Sequence, residues 1–61
     1  MNKDEKELAV FTMLREHGVS SGTAIIAISE MWSEQDLDEM LALPQEKMAE
    51  IARDIVEMMG E

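Results

Sequence analysis

The sequence predicts an all-α fold, a small bundle of four short helices at about residues 3–16, 21–32, 34–42 and 44–59. Apolar side chains recur at intervals of three and four residues, which places them along one face of a helix. Residues that start or stop helices separate these segments, namely Asn2, Gly18, Ser33 and Pro44. Hydrophobic residues make up 46% of the chain, so it is expected to fold rather than to stay disordered.

The first helix has the firmest boundaries. Asn2 is a favourable N-cap because its side chain can accept a hydrogen bond from a free amide of the first turn. Gly18 is expected to end the helix in the left-handed conformation, with Val19 packed against Leu14 as in a Schellman motif. Three apolar residues share one face of this helix, Leu8, Phe11 and Leu14.

The second helix is expected to be the buried centre of the bundle. Residues 23–28 are apolar almost all round, and such a helix is usually surrounded by others. Ala24 and Ala27 are small enough to let a neighbouring helix come close. A buried strand is the competing interpretation because Thr and Ile are β-branched. We reject it because the chain contains no second strand that could satisfy its backbone.

A third helix is predicted to begin after Ser33. Ser33 suits the N-cap and Asp36 suits the third helical position, so the two can form a capping box. Trp32, just before the cap, can pack against Leu37 as a hydrophobic staple. The alternative is one continuous helix through Ser33.

The fourth helix is the clearest amphipathic segment. Pro44 suits the first helical position, where a missing amide hydrogen costs nothing, and Gly60 is expected to end the helix. Its apolar stripe follows helical spacing through Met48, Ile51, Ile55 and Met58. The side of the helix opposite this stripe is largely acidic.

The seven methionines allow two interpretations. Methionine is flexible and polarizable, so it can fill gaps in a core or line a surface that adapts to partners. Met58 and Met59 end the last helix, where a partner could reach them. Helical spacing favours the core for four others, Met13, Met31, Met40 and Met48.

The net charge of −9 is concentrated in the second half of a single predicted domain, residues 1–61. Residues 29–61 contain ten of the fourteen carboxylates and two basic residues, Lys47 and Arg53. Phosphate backbones are bound mainly by Lys and Arg, so no direct nucleic-acid binding is expected. The sequence contains no apolar run long enough to suggest a membrane span or a signal peptide. The chain has no cysteine, which excludes disulfides and fits a cytoplasmic location.

No residue pattern predicts an enzyme, a cofactor or a metal site. His17 is the only histidine, and Ser20 and Ser21 follow it closely, but nucleophilic catalysis also needs an orienting group and a pocket. The acids around Asp36 lack the glycine of a calcium-binding loop, because Leu41 stands at its position. We therefore expect no catalytic residues, no cofactor and no metal ligands.

The Gly18-Val19 turn followed by Ala24, Ala27 and Ile28 resembles ubiquitin-associated-type three-helix domains. The resemblance covers about twenty residues with short, common motifs and implies a three-helix core. Helices two and three are joined differently here, and a fourth helix follows, so no family is assigned on these residues.

A small interaction module is the function that these features predict. Twenty-one large apolar side chains follow Met1, more than a chain of 61 residues easily encloses, so we expect binding to a protein partner or to itself as a homodimer. The alternative is an acidic inhibitor whose carboxylates, from Glu34 to Glu61, mimic the phosphates of a nucleic acid and occupy a basic protein. The predicted interaction face lies on helices two and four and comprises Ile26, Met48, Ile51, Ile55, Met58 and Met59.

Overall fold

The computed structural model describes residues 2–60, and within them the protein is a bundle of four helices without a strand. The all-α prediction and the number of helices are confirmed. Met1 and Glu61, the two ends of the predicted domain, lie outside the described residues. The elements are α1 (Lys3–Glu16), α2 (Ser21–Ile26, extended by a π turn at Ala27–Met31), α3 (Glu34–Leu41) and α4 (Gln45–Met59).

The end of α1 is the predicted Schellman motif. The Val19 amide donates to the Leu14 carbonyl at 3.0 Å, and the Gly18 amide donates to the Arg15 carbonyl at 3.1 Å. Gly18 has a φ of +93°, which a residue with a side chain adopts only at a steric cost. Leu14 and Val19 are both fully buried, so this turn is fixed by hydrogen bonds and by packing.

Ser33 separates α2 from α3 as a complete capping box. The Asp36 amide donates to the Ser33 hydroxyl oxygen at 3.3 Å, and the Ser33 amide donates to the Asp36 carboxylate at 3.0 Å. Trp32 is extended, with φ of −118° and ψ of 140°. The alternative of one continuous helix through Ser33 is therefore wrong.

The last turn of α2 is wider than the sequence predicts. The Trp32 amide donates to the Ala27 carbonyl at 3.1 Å, five residues back instead of four. Such π turns hold one residue more than the α-helical turn and are rare. Periodicity alone could not show this turn, because its side chains still fall close to helical positions.

Pro44 precedes the fourth helix instead of being its first residue, which corrects the predicted start by one position. Its φ of −64° and ψ of 157° are those of an N-cap, and α4 begins at Gln45. The Pro44 carbonyl accepts hydrogen bonds from the amides of Lys47 and Met48. Gly60 ends α4 as predicted, with a φ of +75°.

The core receives side chains from every helix. All of its members are less than a tenth exposed, and α4 contributes as many as α2 with its π turn. Met40 and Met48 lie in it as predicted, and Met13 packs against its edge. The buried apolar residues are Val10, Leu14, Val19, Ala24, Ala27, Ile28, Leu37, Met40, Met48, Ala52 and Ile55.

The prediction that α2 is the buried centre is wrong in part. Ala24 and Ala27 are buried, but Ile25 and Ile26 are exposed, and so is Met31, which was predicted to be in the core. The physical reason is the size of the bundle. The main neighbours of α2 are α1 and α4, and they leave the side with Ile25 and Ile26 exposed.

Candidate interaction surface

The six residues of the predicted interaction face do not form one surface. Met48 is 0% exposed and Ile55 is 3% exposed, and Ile51 packs against the core. The apolar stripe of α4 is therefore used inside the bundle, because an amphipathic helix buries that stripe wherever its own chain offers a core. The remaining three members are exposed, namely Ile26, Met58 and Met59.

A different apolar surface lies between α1 and α2. Leu8 is 65% exposed and Ile25 is 54% exposed, and the two side chains stand on opposite rims of an open groove of about 240 Å³. We call it the α1–α2 groove. Six residues line it, Glu7, Leu8, Phe11, Ile25, Ile28 and Ser29.

The helical hairpin formed by α1 and α2 explains this placement. The Schellman turn reverses the chain after α1, and Ser20 then caps α2 by accepting a hydrogen bond from the Thr23 amide at 3.4 Å. Val10 and Leu14 point into the core. Because each helical residue is rotated by about 100° from the last, Leu8 then falls on the outer side of α1.

On the side of α1 opposite Leu8, Lys6 forms ion pairs with α3. The Lys6 ammonium lies 2.8 Å from Glu34 and 2.9 Å from Asp38, both on α3, and its side chain is only 14% exposed. The hydrogen bond to Glu34, followed by the one to Asp38, raises the pKa of Lys6 above its usual value. α1 therefore contacts α3 on the side of Lys6 and α2 on the other side, where the groove opens.

His17 lies in a second open groove, which lacks the groups that a catalytic histidine needs around it. The groove is lined also by Gly18, Ala49, Arg53 and Val56, none of which has a carboxylate or hydroxyl group that could orient the imidazole. The Ser20 hydroxyl donates to Thr23 Oγ1 at 3.1 Å, so it is engaged in capping. The absence of an enzymatic activity stays a prediction.

The carboxylates of residues 2–60 form no candidate metal site. No cluster of three or more metal-ligating side chains occurs in this part of the chain. The acidic side of α4 is exposed, and Lys47 pairs with Glu50 at 3.7 Å. Within the same residues no helix has the length and apolar character needed to cross a bilayer. Four acids make up this side of α4, Glu46, Glu50, Asp54 and Glu57.

Comparison with known proteins gives no relative: no protein-family model, no curated protein and no solved structure matches this chain. A function can therefore be proposed only from the arrangement of the chain's own residues.

Leu8 and Ile25 were not predicted to be surface residues. A signal was present in α1, where apolar residues extend over more than half of the helix circumference and Leu8 lies at one edge of that arc, next to Asp4. One neighbouring helix covers a narrower stripe, so an edge residue beside charged positions is the one to be left exposed.

Proposed function

We propose that this protein is a small interaction module that binds a second copy of itself through the α1–α2 groove. The observation that carries the proposal is the pair of large apolar side chains, Leu8 and Ile25, exposed on the two rims of one apolar groove. Contiguous apolar surface of this kind marks protein contact sites, whereas isolated exposed residues are ordinary. A reducing compartment such as the cytoplasm suits a chain without cysteine, and that location stays a prediction.

The size of this face sets the expected strength of association. α1 has 14 residues, which corresponds to a length of about 21 Å. Two helices side by side cover a width of about 20 Å, so each copy can offer roughly 400 Å². The two copies together bury about 800 Å², which is below the roughly 1,200 Å² of stable specific complexes and in the range of weak, transient ones. We therefore expect a weak, reversible dimer with a micromolar dissociation constant.

Sedimentation equilibrium from tens to hundreds of micromolar tests the proposal. The wild-type chain of 6.9 kDa should show a monomer–dimer equilibrium. Leu8→Gln should weaken it at least tenfold, because burying one leucine contributes roughly 1.5–3 kcal/mol and about 1.4 kcal/mol is a factor of ten.

Met58→Gln is the matched control. Met58 is 61% exposed, close to the value for Leu8, but lies near the end of α4 and outside the groove. The control should dimerise like the wild type. A wild-type chain that stays monomeric throughout would refute self-association. A dimer sensitive to Met58→Gln but not to Leu8→Gln would move the interface to the end of α4.

The second candidate function is the acidic inhibitor of a basic nucleic-acid-binding protein. The observation that favours it is the run of exposed acids on α4, where two basic side chains, Lys47 and Arg53, stand among four carboxylates. Ionic strength distinguishes the two functions, because added salt screens attraction between opposite charges but affects apolar contacts little. A complex with a basic partner should weaken steeply between low and physiological salt, whereas the dimer, whose contact is mainly apolar, should weaken much less.

A further inference from the structure

The outer side of α1 carries a stripe with an acid at one end and a base at the other. Asp4, Leu8, Phe11 and Arg15 follow each other at intervals of four, three and four residues, so they lie along one line of the helix. Asp4 and Arg15 are exposed, and among residues 2–60 neither forms an ion pair. Leu8 is largely exposed, and Phe11 is half-buried at the groove. We call these four residues the α1 stripe.

The α1 stripe is complementary to itself when it is reversed. The two outer residues, Asp4 and Arg15, are equally far from the midpoint of the stripe, and so are the two inner residues, Leu8 and Phe11. An antiparallel copy related by a twofold axis through that midpoint would place Asp4 against Arg15 and Leu8 against Phe11. Twofold symmetry repeats each contact, so one arrangement yields two ion pairs around an apolar centre.

We propose that two copies associate through antiparallel α1 helices, with Asp4 of each copy paired with Arg15 of the other. This inference rests on the proposed self-association and specifies its geometry. Charge complementarity selects this arrangement. A parallel pairing would set Asp4 against Asp4 and Arg15 against Arg15, and like charges at close range are repulsive.

The position of Arg15 supports this geometry. Its Nη1 donates to the Val19 carbonyl at 3.0 Å, which holds the guanidinium at the end of the stripe. Less side-chain freedom is then lost when the ion pair forms. The stripe itself carries no net charge, because Asp4 and Arg15 offset each other.

Reversal of the two charges tests the arrangement. Asp4→Arg and Arg15→Asp, each alone, place like charges at both contacts of the antiparallel dimer. Each should raise the dissociation constant about tenfold at low salt, where exposed ion pairs contribute most. The double variant, Asp4→Arg with Arg15→Asp, restores both pairs and should return to the wild-type value.

An equimolar mixture of the two single variants gives a further expected result. One chain then has arginine at both positions and the other has aspartate at both, so the heterodimer has two attractive contacts while each homodimer has none. Sedimentation of the mixture should show dimer at concentrations where each variant alone is monomeric.

The double variant also controls for helix stability. Arginine at the start of α1 and aspartate at its end both oppose the helix dipole, so the double variant carries both penalties. Recovery of its dimer can then come only from the restored pairs.

The outcomes separate this inference from the function on which it rests. A wild-type monomer would refute self-association itself. A wild-type dimer that is weakened by Leu8→Gln but unchanged by either single charge reversal would leave self-association in place and overturn the antiparallel arrangement. Single variants that are weakened, with no recovery in the double variant, would overturn it as well.

Discussion

Helices α2 and α4 differ in a way that reverses the expectation from their sequences. α4 has an apolar stripe and an acidic side, as a helix that offers its stripe to a partner could have, yet Met48 and Ile55 lie in the core. α2 is apolar almost all round, as a central helix should be, yet Ile25 and Ile26 face outwards. The apolar stripe of α4, which was expected to meet a partner, is largely buried, whereas α2, which was expected to be central and to contribute Ile26 to the interaction face, has an open side.

The difference follows from the number of neighbours that a small bundle can provide. An apolar stripe can be buried against one neighbouring surface, and the other helices of this chain provide that surface for α4. A helix that is apolar on every side needs neighbours all round, and within residues 2–60 the main neighbours of α2, α1 and α4, leave Ile25 and Ile26 exposed. Three of the six exposed large apolar side chains of residues 2–60 therefore lie on α2 and its π turn, whereas the two on α4 lie at its end.

The largest effect is expected where the stripe of α4 enters the core. Met48→Ala should reduce the free energy of unfolding by about 2–5 kcal/mol, because it leaves a cavity at a fully buried position. Met58→Ala, on the exposed part of the same helix, should change it by less than about 0.5 kcal/mol. Urea denaturation followed by circular dichroism measures both. Similar losses in the two variants would contradict the division of α4 into buried and exposed parts.

An intermediate effect is expected at the boundary where α2 ends. Ser33→Ala removes the acceptor for the Asp36 amide and should destabilise the protein by about 0.5–2 kcal/mol. Ser29→Ala, an exposed position within the π turn, is the control and should stay within about 0.5 kcal/mol. A neutral or stabilising Ser33→Ala in thermal melts would mean that the helix continues through this position.

A smaller effect, which depends on pH, is expected at the charged side of α1. The ion pairs raise the pKa of Lys6 in the folded state above its ordinary value of 10.5, so their contribution is complete below that pH and is lost as the pH rises through the folded-state pKa. The stability difference between the wild type and Lys6→Met should therefore shrink in strongly alkaline solution.

Lys6→Arg is the control for this titration. Arginine stays protonated in the alkaline range, so this variant should retain its pairs with Glu34 and Asp38 there. Urea midpoints between neutral and strongly alkaline pH give the comparison. A difference between wild type and Lys6→Met that stays constant throughout would mean that the contribution of Lys6 comes from its packing and not from its charge.

The smallest effect on the monomer is expected on the open side of α2. Ile25→Gln, measured at low protein concentration where the dimer dissociates, should change the unfolding free energy by less than about 0.5 kcal/mol. Ile28→Gln, one turn further along and 7% exposed, should be clearly destabilising. Equal losses in both would show that α2 has no open side in solution.

The parts of the fold that depend on local chemistry could be predicted from the sequence. Asn2, Gly18 and Ser33 act through hydrogen bonds to residues no more than five positions away, and a capping residue carries that information itself. The start of α4 was misplaced by one residue, since Pro44 suits both the N-cap and the first helical position.

The parts that depend on how helices meet could not be predicted. Lys6 and Glu34 are 28 residues apart, and nothing near either one indicates the other. The exposure of Leu8 and Ile25 depends on which sides of α1 and α2 are covered, which is set by the positions of α3 and α4. The candidate surface was therefore predicted on helices two and four instead of between α1 and α2.

The π turn at Ala27–Met31 has a consequence for insertions and deletions. Its hydrogen bond spans five residues, so this stretch holds one residue more than an α-helix would need between the same two ends. The removal of one residue would shorten most helices and rotate everything after the deletion. Here the backbone can absorb that loss by becoming an ordinary α-helical turn, with Trp32 and Ser33 kept in phase with the helix before them. We therefore expect the removal of one residue from this segment to leave the relation between the helices unchanged.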